Sequence, residues 1–218
     1  MSCAICDLRK ERRFCPAVHG RICPQCCGEQ REVTLDCPGD CPYLRQARGH
    51  EKTRGLALVE REALLPEVEI GEQFLYEREH LIVGLSFALA KSARTNRALV
   101  DQDMIAALAS LAKSLQTLVN SSLIYEQADP NVARQAIVAE IETMVKEFRE
   151  AEEKHLGHAR LRDSDVLRAV VFLLRMGLGR TSGRPKSRAF IDFIFAQFPE
   201  KQTAIASPED AGSRIVIP

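Results

Sequence analysis

The residues best suited to chemistry in this chain are its eight cysteines, all of which lie between Cys3 and Cys41. Most stand in close pairs with two or three residues between the partners, and His19 follows Cys15 at the same kind of spacing. Two thiolates so spaced can turn toward one tetrahedral ion, at roughly 2.3 Å each, without straining the backbone. Four pairs therefore predict two zinc ions, with these candidate ligands: Cys3, Cys6, Cys15, His19, Cys23, Cys26, Cys27, Cys37 and Cys41.

The pairs can combine in two ways. If they alternate, one zinc is held by Cys3, Cys6, Cys23 and Cys26, and the other by Cys15, Cys37, Cys41 and either His19 or Cys27. This interleaved spacing resembles the cross-brace zinc modules, such as the MYND and HIT fingers, over residues 3–41. Those families place further Cys and His near the end, whereas the last pair here is Cys37 and Cys41. Sequential pairing, as in a zinc ribbon or a treble-clef module, is the alternative.

The sequence around the ligands favours thiolates. Pro24 and Gly28 flank the Cys23, Cys26 and Cys27 group, and they suit a tight knuckle whose N–H groups point at sulfur. Further on, Asp40 is a good helix N-cap and Pro42 suits a first helical turn, which would place Cys41 at the positive end of a helix dipole.

Disulfide bonds and redox or iron–sulfur chemistry are the competing uses of so many cysteines. No apolar signal segment precedes them and the rest of the chain has no cysteine, so we expect reduced, metal-bound thiols and a cytoplasmic protein. A zinc ion with four protein ligands has no open position, and such sites are structural. We therefore expect no catalytic residues and no enzyme activity.

The remainder of the chain predicts an all-helical domain. With 218 residues, of which 45% are hydrophobic, the protein is large enough for one modest core beside a metal-stabilised module. We predict a mainly α protein: a module with an exit helix over residues 1–54, a linker over 55–71, a bundle of about five helices over 72–198 and a mobile tail over 199–218.

Apolar spacing and capping residues give the expected helices. They run from Glu72 to Arg94, from Asp101 to about Ser121, from Asp129-Pro130-Asn131 onward, from Asp163 to the glycines at 177 and 179, and from Ser187 to Phe198. The third would bury Val132, Ile137, Ile141, Met144, Val145 and Phe148. The longest apolar run, Leu81 to Ala90, is far below the roughly 20 residues that span a bilayer, so no membrane association is expected.

A basic stretch precedes the last predicted helix. From Arg160 to Arg188 there are eight cations and two acids. The predicted loop at the end of this stretch, residues 177–188, is flanked by glycines. Guanidinium groups next to a helix start can bind phosphate, although no aromatic residue interrupts the loop to stack on bases. The candidate anion or nucleic-acid ligands are Arg175, Arg180, Arg184, Lys186 and Arg188.

Three functions fit these features. The first is a zinc-binding interaction or regulatory protein whose module docks a protein partner through Arg9, Lys10, Arg12, Arg13, Arg21, Arg31, Arg45 and Arg48. The second is a nucleic-acid-binding protein that uses the module and the basic loop together. The third is a thiol-based redox sensor in which Cys27, spare if His19 is a ligand, is oxidised and zinc is ejected.

Overall fold

The structure is a computed structural model that describes residues 1–51, 61–121 and 129–199. Its first part contains a two-stranded antiparallel sheet of β1 (Arg13–Cys15) and β2 (Gly20–Ile22), joined by a 3-10 turn over Pro16–Val18. Two helices follow, α1 (Pro24–Gln30) and α2 (Pro42–Glu51). The predicted end of the exit helix at Arg54 and part of the predicted linker lie outside the described residues.

The second part is helical, as predicted. After a 3-10 turn over Arg61–Leu64 come α3 (Glu72–Glu77), α4 (Glu79–Thr95), α5 (Asp101–Ser121), α6 (Val132–Leu156), α7 (Asp163–Arg180) and α8 (Ala189–Gln197). Helix α5 packs most extensively against α7, and α4 packs most extensively against α6. No helix in the described ranges is both long and apolar enough to cross a membrane. The predicted tail lies outside the described residues beyond Pro199.

The helices share one apolar core. Its largest fully buried side chains are Leu81, Leu85, Leu89, Met104, Leu108, Ile137, Ile141, Leu173, Leu174 and Phe190. Gly177 lies inside this core, where a Cβ would stand 3.1 Å from side-chain atoms of both Ile105 and Phe190. A glycine there permits α7 to approach α5 and α8 closely.

Three details of the helix prediction are wrong. The first bundle helix breaks at Arg78, where the backbone leaves helical geometry and the guanidinium pairs with Asp165 at 2.8 Å. Helix α7 does not end at its glycines but continues to Arg180, because Gly177 is needed for packing and its carbonyl still accepts from Thr181. Val132 is 76% exposed because it occupies the first position of α6, before the buried face begins.

A buried carboxylate fixes the start of the last helix. Asp101, the first residue of α5, is fully buried and accepts hydrogen bonds from Ser187 Oγ at 2.7 Å and from the N–H groups of Phe190 and Ile191 at 3.1 Å. Burial raises the pKa of Asp101, and these hydrogen bonds oppose the rise. One side chain thus joins the N-termini of α5 and α8.

Candidate metal centre and its attachment to the helices

Four cysteines come together in the first part of the structure. The Sγ atoms of Cys3, Cys6, Cys23 and Cys26 all lie within 4.8 Å of one another, and three of the four residues are buried. Four sulfurs around a tetrahedral zinc lie roughly 3.8 Å apart, so a small contraction would close the site. We call these residues the first quartet. It joins the first and third close pairs, as the alternating scheme predicts.

Different elements position the two halves of the first quartet. Cys3 and Cys6 lie in a turn in which Asp7 has a φ of 51° and donates its N–H to the Cys3 carbonyl at 2.9 Å. Cys23 and Cys26 lie at the start of α1, where Cys23 is the N-cap and Pro24 takes the first helical position. The predicted knuckle at Cys23 is therefore the first turn of a helix. The hairpin β1–β2 lies between the two halves in the chain.

Backbone N–H groups point at the sulfurs of the first quartet. Cys23 donates its N–H to Cys3 Sγ at 3.1 Å, and Cys26 donates to Cys23 Sγ at 3.4 Å. Burial alone would raise the pKa of Cys3, but hydrogen bonds from Cys23, Cys6 and Ile5 outweigh it and lower that pKa to about 6. The site is thus built to hold thiolate at Cys3.

The four sulfurs also compete for negative charge. Burial, together with the neighbouring sulfurs of Cys23, Cys6 and Cys3, raises the pKa of Cys26 to about 12. Four thiolates in one buried cluster repel each other strongly, and a divalent cation at their centre removes that repulsion. The donor set therefore fits a metal ion, and four sulfur ligands suit zinc.

An arginine compensates this charge from outside the ligand set. The hydrogen bond from the Arg9 side chain to Cys23 is the largest cause of the raised pKa of Arg9, and the thiolates nearby raise it further. Arg9 was predicted only as part of a docking surface, because sequence spacing does not show that its side chain turns back toward the cysteines. Such outer partners orient ligands and tune a metal site.

The other cysteines lie close by without forming an equally tight cluster. Burial raises the pKa of Cys37; the N–H of Glu32 donates to it and lowers it, while the sulfurs of Cys15 and Cys41 raise it further. Cys15 and Cys41 are buried. Helix α2 begins at Pro42, so Cys41 rather than the predicted Asp40 is the residue before the helix.

The two candidates for the remaining ligand differ in their surroundings. Cys27 is 8% exposed, and Arg13 Nη1 lies 3.6 Å from its sulfur. His19 is exposed, at the end of the 3-10 turn between the strands, where its φ is 48°. No cysteine is in a disulfide bond in the part of the chain that the structure describes, which includes all eight.

Glu32 joins the cysteine-rich part to the helices. It is 1% exposed, has a φ of 54°, and accepts from Arg48 Nη2 at 2.8 Å and Ser182 Oγ at 2.9 Å. Its carbonyl accepts from the N–H of Lys186 at 2.8 Å. The second guanidinium nitrogen of Arg48 donates to Asp192 of α8 at 2.7 Å. Since Glu32 also donates its N–H to Cys37, one residue touches a cysteine, α2 and the loop before α8.

Two of the predicted anion ligands reinforce this junction. Arg184 Nη1 donates to the carbonyls of Gly28 and Arg31, at 3.0 and 2.7 Å. Lys186 Nζ donates to the Thr34 carbonyl and to Asp36, at 2.9 and 3.0 Å. Because these nitrogen atoms already donate to the cysteine-rich part, Arg184 and Lys186 have fewer donors left for an anion from solvent.

The other three predicted anion ligands have different surroundings. Arg175 donates to the carbonyls of Leu64, Leu65 and Val68, at distances of 2.6 to 2.8 Å. Arg188 donates to the carbonyls of Arg97 and Leu99, at 2.6 and 2.5 Å. Arg180 lies over the Phe193 ring, with its guanidinium carbon 3.4 Å from the centroid. The structure brings Arg184 and Lys186 to one surface, while Arg175 and Arg188 hold segments elsewhere.

Sequence reasoning missed Glu32, Arg48 as an ion-pair partner, and Asp101. Arg31-Glu32 lies between two cysteine pairs with no periodic pattern, so its burial has no local signal. The partners of Glu32 are 16 and 150 residues away along the chain. A non-glycine residue with positive φ is unusual, but that property is visible only in the folded backbone.

Comparison with protein-family models, with curated proteins and with solved structures gives no match for this chain. The interpretation of the site therefore depends on its geometry.

Proposed function

We propose that this is a non-catalytic zinc protein in which a two-zinc module, fixed to a helical domain, presents a docking surface to a protein partner. The observation that carries the proposal is the first quartet, with its four sulfurs within 4.8 Å of one another and its thiolate-stabilising N–H groups. Zinc held by four sulfurs has no free position for substrate, so its role is to stabilise the fold.

In this proposal the second zinc is held by Cys15, Cys27, Cys37 and Cys41. Cys27 is favoured over His19 because its side chain is buried, whereas His19 is exposed. Consecutive residues of a helix point about 100° apart, so Cys27 is directed away from the first quartet, to which Cys26 belongs. Arg13 beside Cys27 would then compensate thiolate charge, as Arg9 does at Cys23.

The first quartet joins the first and third close pairs, so sequential pairing does not describe it. We therefore favour the alternating scheme of the cross-brace modules, with the second ion held by the remaining cysteines.

The outer face of the hairpin is the best candidate for the docking surface. Phe14 is 55% exposed and stands directly opposite Arg21 in the sheet, so the two side chains share one face. Arg12 lies two residues before Phe14 and donates its N–H to Ile22, so it continues the same face. An exposed aromatic ring flanked by two arginines suits an acidic protein surface with an apolar centre.

Elemental analysis tests the zinc proposal directly. Protein purified without added metal should contain two zinc ions per chain and show no reactive thiol until a chelator is added. One zinc per chain with four reactive thiols would refute the second site, and no zinc would refute the proposal. Cys27→Ser should lower the content to one ion, whereas His19→Ala should leave it at two.

The docking surface is tested with matched surface variants. Phe14→Ser and Arg12→Ser should abolish co-purification of the partner from native cells while zinc content stays at two. Tyr76→Ser, which alters an aromatic side chain that is 84% exposed on α3, is the control and should keep the partner. Equal capture by all the variants would contradict this use of the hairpin.

A further inference from the structure

A cavity lies between α2 and the α7–α8 corner, outside both cysteine sets. Its volume is about 370 Å³, within the range of small-molecule sites. Its polar lining consists of Arg45, Arg48, Arg180, Thr181, Ser182 and Asp192. Three guanidinium groups and a single carboxylate thus line one pocket that is partly open to solvent.

Arg180 has no carboxylate partner among the residues that the structure describes. Its hydrogen-bond donors are not used by any described group, and its contact is with the Phe193 ring at 3.4 Å. Burial lowers the pKa of Arg180, which means that the charged form is poorly solvated there. A partly buried cation next to a cavity is best stabilised by an anion in that cavity.

Arg48 lies between the other two arginines and is already paired with carboxylates. Its two terminal nitrogens are taken by Glu32 and Asp192, at 2.8 and 2.7 Å. Its Nε is buried and has no hydrogen-bond partner in the described structure. Because solvent cannot reach this nitrogen, Arg48 shapes the wall of the cavity through its two carboxylate contacts and does not offer a further donor to it.

Arg45 completes the set from the same helix. It lies one turn before Arg48, and in the described structure only its Nε is engaged, with the Gly39 carbonyl at 3.3 Å. Its terminal nitrogens are free to form a two-pronged contact. Arginine forks of this kind match the paired oxygens of phosphate.

We propose that this cavity binds a small organic phosphate, with Arg45 and Arg180 clamping the phosphate group. The cavity is far too small for a nucleic-acid duplex, and its walls come from both parts of the protein. Bound ligand would therefore connect α2 to α7 and α8 and strengthen the junction at Glu32. This site uses no cysteine and does not depend on the proposed zinc content.

Isothermal titration calorimetry on the full zinc-containing chain, with inorganic pyrophosphate and inorganic phosphate as probes, tests the proposal. Pyrophosphate should bind at one site per chain and more tightly than phosphate. Arg180→Gln and Arg45→Gln should each weaken pyrophosphate binding by tenfold or more. Two variants are used so that a folding defect in one does not decide the result.

Arg168→Gln is the matched control, since Arg168 is also on α7 and lies over an aromatic ring, that of Phe74, at 5.7 Å. It should bind pyrophosphate as the unaltered protein does. The proposal is overturned if the unaltered protein binds neither probe at millimolar concentration. It is also overturned if Arg168→Gln weakens binding as much as Arg180→Gln, because that result indicates diffuse charge attraction.

Discussion

The cysteine-rich part and the helical part of this protein bury side chains for different reasons. In the first, the buried cluster consists mostly of cysteines, with Ile22 and Leu35 as its fully apolar members, and its strands have three residues each. In the second, buried leucines, isoleucines, valines and alanines from α4 to α8, together with Phe74 of α3, form a continuous core. The comparison teaches that the first part has few apolar side chains to bury, so in the proposed zinc protein an ion would do there what exclusion of water does in the second part.

The connection between the two parts follows a third principle. It is built from charged and polar groups, among them Glu32, Arg48, Asp192 and Arg184. A buried ion pair costs desolvation energy and is specific in geometry, so it fixes orientation more than it adds stability. The three expected sources of stability, which are a metal ion, apolar burial and charged contacts, can therefore be perturbed one at a time.

Metal removal should give the largest difference between the two parts. Chelation should abolish amide protection over residues 1–41, because structural zinc contributes on the order of 10 kcal/mol to the folding of comparable modules. The helices α4 to α7 should keep their protection in hydrogen exchange followed by mass spectrometry. Added zinc should restore the pattern. Equal loss of protection in both parts would show that they do not fold independently.

Truncation of a core side chain should have the opposite pattern of effects: it should destabilise the helical part and leave the cysteine-rich part unchanged. Leu85→Ala, at a fully buried position of α4, should lower the free energy of unfolding of the helical part by about 2–5 kcal/mol. Zinc content should not change. Val83→Ala on the same helix is the control, because Val83 is 46% exposed and its truncation should cost less than about 1 kcal/mol. Urea denaturation followed by circular dichroism measures both.

Lowering the pH should change the stability of the two parts in opposite directions. Hydrogen bonds lower the pKa of Cys3 from 9.0 to about 6, so the stability from its thiolate is fully present above pH 9.0 and is lost as pH falls through about 6. Asp101 has a raised pKa, so its contribution is greatest at low pH and falls as pH rises through that pKa. Because a bound ion keeps its thiolate ligands deprotonated, a zinc indicator should report release at a pH below the value of about 6 that applies to the metal-free site, while α5 and α8 stay folded. Release only where the helices also unfold would contradict this separation.

The sequence-based prediction succeeded where a pattern is local. Two residues between Cys3 and Cys6, and between Cys23 and Cys26, are enough to predict ligand pairs, and the seven-residue leucine spacing predicts α5 with both ends correct. It failed where partners are distant. Nothing near Glu32 indicates that its side chain meets Ser182, and the break at Arg78 has no glycine or proline to announce it. The alternating scheme for the second zinc stays a prediction.

Disturbing the charged junction should affect contact between the parts more than either part alone. Glu32→Gln should cost about 1–3 kcal/mol, since Arg48 and Ser182 lose a buried carboxylate partner. Hydrogen exchange should rise at residues 181–188 while the cores of α4 and α5 are unchanged.

Glu29→Gln is the control for that change, because Glu29 is exposed and its contact is with Gln25 on the same helix. It should leave exchange at 181–188 unaltered. If Glu32→Gln also left that segment unaltered, the junction would have to depend on Arg184 and Lys186 instead.

The smallest expected effect comes from the same glycine-to-alanine substitution made once in each part. Gly28 lies inside α1 with nothing within 4 Å of an added Cβ, so Gly28→Ala should stabilise the module by about 0.5–1 kcal/mol through helix propensity. Gly84 lies inside α4, where an added Cβ would overlap Met144 Cε. Gly84→Ala should therefore give the helical part a smaller gain, because the flexible end of the partly buried Met144 must move aside for the added Cβ. Competition with a chelator for zinc measures the first change as a two- to fivefold gain in apparent affinity, and urea denaturation measures the second. A gain at Gly84 equal to that at Gly28 would mean that Met144 moves aside at no cost, so that packing between α4 and α6 constrains position 84 no more than solvent constrains position 28.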